Sequence, residues 1–182
     1  MALLLTYEGP LPGGNAESTV RVKNQLRRTF HEQLLEFCRN DRLYFNHWLN
    51  PVPAPGVEIV LDGIQFVPLV MKGALACDLW IELLRRDMPG AIFNGGDIDG
   101  RLKTLLDGLR MPLSTRELHG FSASGNRAKD RCLCLLADDS LITKVEISTH
   151  RLLRPQRPKE SPTDVEVRIR AEIRQQNDSM VR

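Results

Sequence analysis

The stretch Ala74–Asp87, ALACDLWIELLRRD, decides the fold. Cys77, Leu79, Ile81 and Leu83 alternate, which would line one face of a strand with apolar side chains. Leu75, Leu79 and Leu83 are also four apart, a spacing that a helix would use. The alternation favours a strand that leaves through the turn MPGAIFNGG (88–96).

Downstream, DIDGRLKTLLDGLRMP (97–112) predicts a helix. Ile98, Leu102, Leu105 and Leu109 form its buried stripe, and Pro112 stops it. Asp97 and Asp99 stand where the positive end of the helix dipole favours negative charge. Residues 113–130 are polar, contain Gly120 and Gly125, and read as a loop or lid. CLCLLADDSLITKVEIS (132–148) predicts an apolar strand, a two-aspartate break and a second, alternating strand. After a basic, proline-rich connector, VEVRIRAEI (165–173) alternates cleanly as a final half-buried strand. Residues 176–182 read as a frayed tail.

Upstream, residues 2–7 predict a first strand, not a signal peptide, since MALLLTYEGP has no basic segment and no cleavage site. A helix is expected from Ser18 or Thr19, with Leu26, Phe30, Leu34 and Phe37 on its apolar stripe. The prolines of NPVPAPG (50–56) make a stiff connector. VEIVL and IQFVPLV flank Asp62-Gly63, a pair favoured in two-residue hairpin turns, and the hairpin at 57–70 should extend or flank the main sheet.

The 182 residues suit one domain, here 1–175 followed by the tail. Hydrophobic residues at 42% and charged residues at 26% exclude a disordered or collagen-like chain. No apolar run reaches the length that spans a bilayer. Twenty-five Lys and Arg against 23 Asp and Glu leave a net charge of +2, which says little about partners. Cys38, Cys77, Cys132 and Cys134 lack the paired spacing of structural zinc sites and read as reduced, buried thiols of a cytoplasmic protein.

Two acidic blocks carry the candidate chemistry. Asp97-Ile98-Asp99 enters a helix that bears Lys103 one turn later, and Asp138-Asp139 separates two strands. Asp99 and Lys103, four apart, would be neighbours on the helix surface. Gathered carboxylates repel unless they share a cation, and hard oxygen donors select Mg²⁺ or Mn²⁺. Such a metal with a nearby lysine suits phosphodiester hydrolysis. The plain alternatives are a helix cap, a helix ion pair and an ordinary turn.

The run GDIDGRLKTLLDGL (96–109), followed by LADDSLITKVEI (136–147), resembles the RusA family of Holliday-junction resolvases. In that family an Asp-x-Asp-Asn motif leads from a strand into a helix with a lysine four residues after the second aspartate. An Asp-Asp pair then opens a later strand. Asp97, Asp99, Lys103, Asp107, Asp138 and Asp139 occupy the corresponding places. The first strand, the basic first helix and the closing VEVRIRAEI strand match the family's order, and the resemblance makes Ala74–Asp87 the strand leading to the first motif.

The resemblance implies a single-domain α+β fold, a mixed sheet with helices mainly on one face. It implies a Mg²⁺-dependent (or Mn²⁺-dependent) endodeoxyribonuclease that cuts four-way DNA junctions as a homodimer in recombination or repair. Asp97, Asp99 and Asp139 would be catalytic metal-binding acids with Lys103 beside them, Asp138 a supporting ligand and Asp107 structural. Arg27, Arg28, Arg85, Arg86, Arg101, Arg127, Lys129 and Arg131 could line a DNA path, touching phosphates without reading sequence. Phe121 could wedge into a junction or pack within its own loop.

The sequence departs from the family at Gly100, which replaces asparagine, and carries the 57–70 hairpin and the 113–130 loop as insertions. Gly100 motivates the alternative of a non-catalytic DNA-structure-binding protein that kept the fold. A metal-dependent enzyme acting on another phosphate substrate is a further alternative.

Overall fold

The computed structural model describes residues 1–13, 17–40, 58–73, 75–86, 98–119, 121, 131–158, 160–161 and 164–175, with the side chains of 17 and 18 excepted. Chain order is β1 (Ala2–Pro10), α1 (Glu17–Asn40), β2 (Ile59–Leu61), β3 (Ile64–Val70), β4 (Leu75–Arg85), α2 (Ile98–Leu109), β5 (Arg131–Leu136), β6 (Ile142–Arg151) and β7 (Asp164–Gln175). The fold is α+β, with two mixed sheets. The expected frayed tail, 176–182, lies outside the described residues.

Within the stretch Ala74–Asp87, Leu75–Arg85 forms the strand β4. Cys77, Leu79, Ile81 and Leu83 are buried on its core face. The larger sheet runs β1-β7-β4-β6. β7 is antiparallel to both β1 and β4, while β4 and β6 are parallel and are joined through α2. Parallel neighbours need such a crossover because no tight turn can connect them. β7 alternates as the sequence predicts, with Val165, Val167, Ile169, Ala171 and Ile173 buried.

The hairpin does not extend the larger sheet. Asp62 and Gly63 take φ of +49° and +78°, the left-handed pair of a tight hairpin turn. β3 pairs in parallel with β5, making a second sheet, β2-β3-β5. The reason lies in CLCLL, which is apolar on both faces. Leu133 and Leu135 enter the main core, while Cys132 and Cys134 join a smaller one with Ile64, Phe66, Met111 and Leu118. A strand buried on both sides reads as a continuous apolar run. All four cysteines are buried free thiols.

α1 begins at Glu17, ahead of the expected cap at Ser18 or Thr19, and Thr19 is already buried within the helix. Its buried stripe is Val22, Leu26, Phe30, Leu34 and Cys38, four apart throughout, with Phe37 only partly buried beside it. Burying a side chain of the Val, Leu or Phe kind contributes roughly 1.5–3 kcal/mol. His31 ties this helix to the second sheet: its Nδ1 accepts the Leu133 N–H at 3.0 Å. Burial holds the His31 pKa below its ordinary value.

α2 ends at Leu109, short of Pro112, and Arg110 bridges in parallel to Leu136 at the end of β5. α2 packs along α1. Its Gly108 faces Leu26 so closely that an added Cβ would lie 2.7 Å from that side chain.

Candidate active site

Asp99 lies in the first turn of α2, and both Asp99 and Lys103 are exposed. Their four-residue spacing puts them on one helix face. That first turn is fixed from below: the Thr104 hydroxyl reaches the Gly100 carbonyl at 2.9 Å and the Pro12 carbonyl at 3.1 Å. Ile98, Arg101, Leu102 and Leu105 line an apolar groove with Ile81 and Leu83 of β4 and Ile147 of β6. Asp97, expected beside Asp99, lies outside the described residues.

The second acidic block forms a short 3₁₀ turn between β5 and β6. Asp138 caps the turn, its carboxylate accepting the Ser140 N–H at 3.0 Å, and lies 3.3 Å from the Lys72 ammonium. Hydrogen bonding to Ser140, then Lys72, holds its carboxyl down at about 2. Asp139 follows in the turn and is exposed.

Sequence reasoning missed the knot that sets where β6 begins. Asp78 of β4 accepts the Thr143 hydroxyl at 2.7 Å and pairs with Arg174 of β7 at 2.8 Å, at the point where the β4–β6 register shifts. The Thr143 hydrogen bond, then Arg174, keeps the Asp78 carboxyl below its usual range, against the opposing effect of burial. The sequence signal was an aspartate inside the otherwise apolar run LACDLWI (75–81).

The two acidic blocks sit at opposite ends of α2. The helix starts over Leu83 and Ile147 and ends at Leu109, next to Arg110, which bridges to Leu136, two residues before Asp138. From Asp99 to Arg110 the helix rises about 16 Å. Among the described residues, no three His, Cys, Asp or Glu side chains are grouped to hold a metal ion, so Asp99, Asp138 and Asp139 of one chain do not form such a set. Their donor chemistry suits a hard divalent cation.

Asp107 serves the helix interface. It pairs with Lys23 of α1 at 2.6 Å and with Arg110 at 2.8 Å. Burial pushes its carboxyl up, but Lys23 and Arg110 outweigh this and leave it below the ordinary value.

The expected DNA-path bases divide sharply. Arg27 is 1% exposed and cannot face a DNA backbone. Its guanidinium donates to the Asp107 and Arg110 carbonyls, to Asn24 and to Glu117. Arg85 and Arg101 are also buried, which removes them from an open phosphate path. Arg86 is held by Glu160 at 2.7 Å and by the Arg154 carbonyl. Arg131 donates to Gln65. Arg28 stays exposed, 5.0 Å over the ring of Phe121, which packs on Phe66. Phe121 therefore joins the smaller core. Arg127 and Lys129 lie outside the described residues.

No family model, no curated protein and no solved structure matches this chain. No helix is long and apolar enough to cross a membrane, among the described residues.

Proposed function

We propose that this protein is a RusA-like, Mg²⁺-dependent endodeoxyribonuclease that cuts four-way DNA junctions by phosphodiester hydrolysis, working as a homodimer. The observation that carries the reading is the exposed Asp99–Lys103 pair heading the helix that crosses from β4 to the parallel strand β6. An aspartate and a lysine on one open helix face supply a hard oxygen donor beside a cation. The lysine suits the charge that develops on a phosphate undergoing attack.

Asp97, Asp99, Asp138 and Asp139 are the carboxylates that would hold Mg²⁺ or Mn²⁺, drawn from both chains of the proposed homodimer, since Asp99 and the Asp138–Asp139 turn of one chain stand at opposite ends of α2. A bound ion of this kind lowers the pKa of its water and neutralises phosphate charge. Asp138 is kept as a carboxylate well below neutral pH, as a metal ligand must be. With Arg27, Arg85 and Arg101 buried, Arg28 and Lys103 are the described bases of the proposal that remain exposed to meet phosphates.

The test is cleavage of a synthetic four-way junction against linear duplex of the same sequence, with Mg²⁺, Mn²⁺ or chelator. Preferential nicking of the junction that needs the divalent ion supports the reading. Tight, salt-sensitive junction binding with no nicking under either ion replaces it with the non-catalytic alternative.

A further inference from the structure

The carboxyl ends of β4 and β6 carry a charged cluster that the proposed chemistry leaves unused. The Leu152 N–H donates to the Arg85 carbonyl at 2.6 Å and ties the two ends together. Arg86 follows β4, Arg154 follows β6, and the Arg86 guanidinium donates to the Arg154 carbonyl at 2.9 Å. Both guanidinium groups close on one carboxylate, that of Glu160 in the connector to β7. It accepts from Arg86 at 2.7 Å, from two nitrogens of Arg154 at 2.9 and 3.0 Å, and from the Arg157 N–H at 2.8 Å. Arg154 first, then the Arg157 N–H, hold the Glu160 carboxyl down to about 2, so protonation does not empty this cradle near neutral pH.

Two features separate the cradle from an ion pair that only pins the connector. The Nε atoms of Arg86 and Arg154 are buried and, among the described residues, have no hydrogen-bond partner. A carboxylate offers two oxygens in one plane, and here those two leave donors over. A phosphate group brings more oxygens, spread tetrahedrally, and the arginine fork matches it. The second feature is position, because ligands of sheets with parallel strands collect beyond the carboxyl ends. α2 also starts over Leu83 at this end, with Asp99 in its first turn. Glu8 and Glu166, which flank Arg154, stand opposite each other on the sheet face away from the helices. The cradle therefore lies around the rim from Asp99, where it meets a phosphate other than the one attacked.

We infer that Arg86 and Arg154 form a phosphate seat that the chain's own Glu160 fills, and that a phosphate group enters by displacing this carboxylate. That the phosphate belongs to DNA rests on the nuclease reading; the seat itself does not. Arg86, Arg154 and Arg157 are matched by Glu8, Glu160 and Glu166. Withdrawal of Glu160 leaves the cluster with excess positive charge, which an entering phosphate neutralises.

Titration calorimetry of the full-length protein with inorganic phosphate, at ionic strength matched with chloride, tests the seat. Glu160→Gln keeps an acceptor for the arginines but removes the charge, and should bind phosphate about tenfold more tightly than wild type. Adding Arg154→Gln should abolish that gain. Glu160→Asp draws the carboxylate back on a shorter arm and should shift affinity the same way by less; it carries the test if Glu160→Gln does not fold. A folded Glu160 variant that binds phosphate no better than wild type overturns the seat, as does a gain that survives Arg154→Gln. With four-way junction DNA, Glu160→Gln should tighten binding and steepen the salt dependence by a slope of about −0.9, the contribution of one added phosphate contact. A gain with inorganic phosphate and none with DNA assigns the seat to a free phosphate and overturns the DNA source. A wild type that never cuts DNA, while Glu160→Gln gains phosphate affinity, overturns the nuclease reading and leaves the seat standing.

Discussion

A Cβ on Gly108 of α2 would lie 2.7 Å from the Cβ of Leu26 on α1, closer than such atoms come in folded proteins. The two helices touch at a point where only glycine fits. Both side walls are buried, Leu26 fully so. This contact, together with Lys23–Asp107, sets how α2 lies across β4 and β6.

Gly108→Ala should therefore destabilise the protein by about 1–3 kcal/mol through overpacking, despite alanine's better helix propensity. Urea unfolding measures it. Leu26→Ala alone should cost about 2–5 kcal/mol by leaving a cavity. The double variant should lose less than the sum, because the new methyl enters the vacated space.

Arg27 cross-links α1 to the end of α2 from inside the protein. Arg27→Met should lower stability by about 3–5 kcal/mol, the scale of breaking a buried ion pair on one side. Arg27→Lys should not restore it, because an ammonium cannot span the separate acceptors that the guanidinium fork reaches. Equal unfolding midpoints for wild type and Arg27→Met would refute the interior role.

The strands with one dominant pattern were legible in the sequence. β7 alternates, Asp62-Gly63 marks the turn between β2 and β3, and β4 showed its period once read as a strand. Arg27 was not legible, because its burial depends on carbonyls of residues 107 and 110, far along the chain. A weak local hint existed: Arg27 follows the stripe residue Leu26 and stands three before Phe30. The role of the hairpin was hidden for a similar reason. Only the parallel pairing of β3 with β5, 66 residues apart at Gln65–Arg131, makes it part of a second sheet. Asp99 and Lys103 were readable because a four-residue spacing on a helix is local; where the second acidic block sits relative to them is a matter of topology.

His31 gives a pH dependence of defined sign. Its neutral ring accepts the Leu133 N–H, and burial depresses its pKa in the folded state, against nearby Glu32 and alongside Arg39. Its contribution is complete above the ordinary histidine pKa of about 6.5 and is lost as pH falls below it, when the unfolded chain binds the proton more readily. Stability measured by urea should decline from pH 7 to pH 5. In His31→Gln, which keeps an acceptor that does not titrate, that slope should flatten. An unchanged slope would contradict the assignment.

The most direct measurement of the central claim compares wild type with Asp99→Asn on a synthetic four-way junction in Mg²⁺, scoring binding and strand cleavage in the same samples. The account predicts that wild type cuts, while Asp99→Asn binds the junction with similar affinity and loses cleavage by about 10²-fold or more, about 2.7 kcal/mol of transition-state stabilisation or more. Equal cleavage by the two proteins would contradict it.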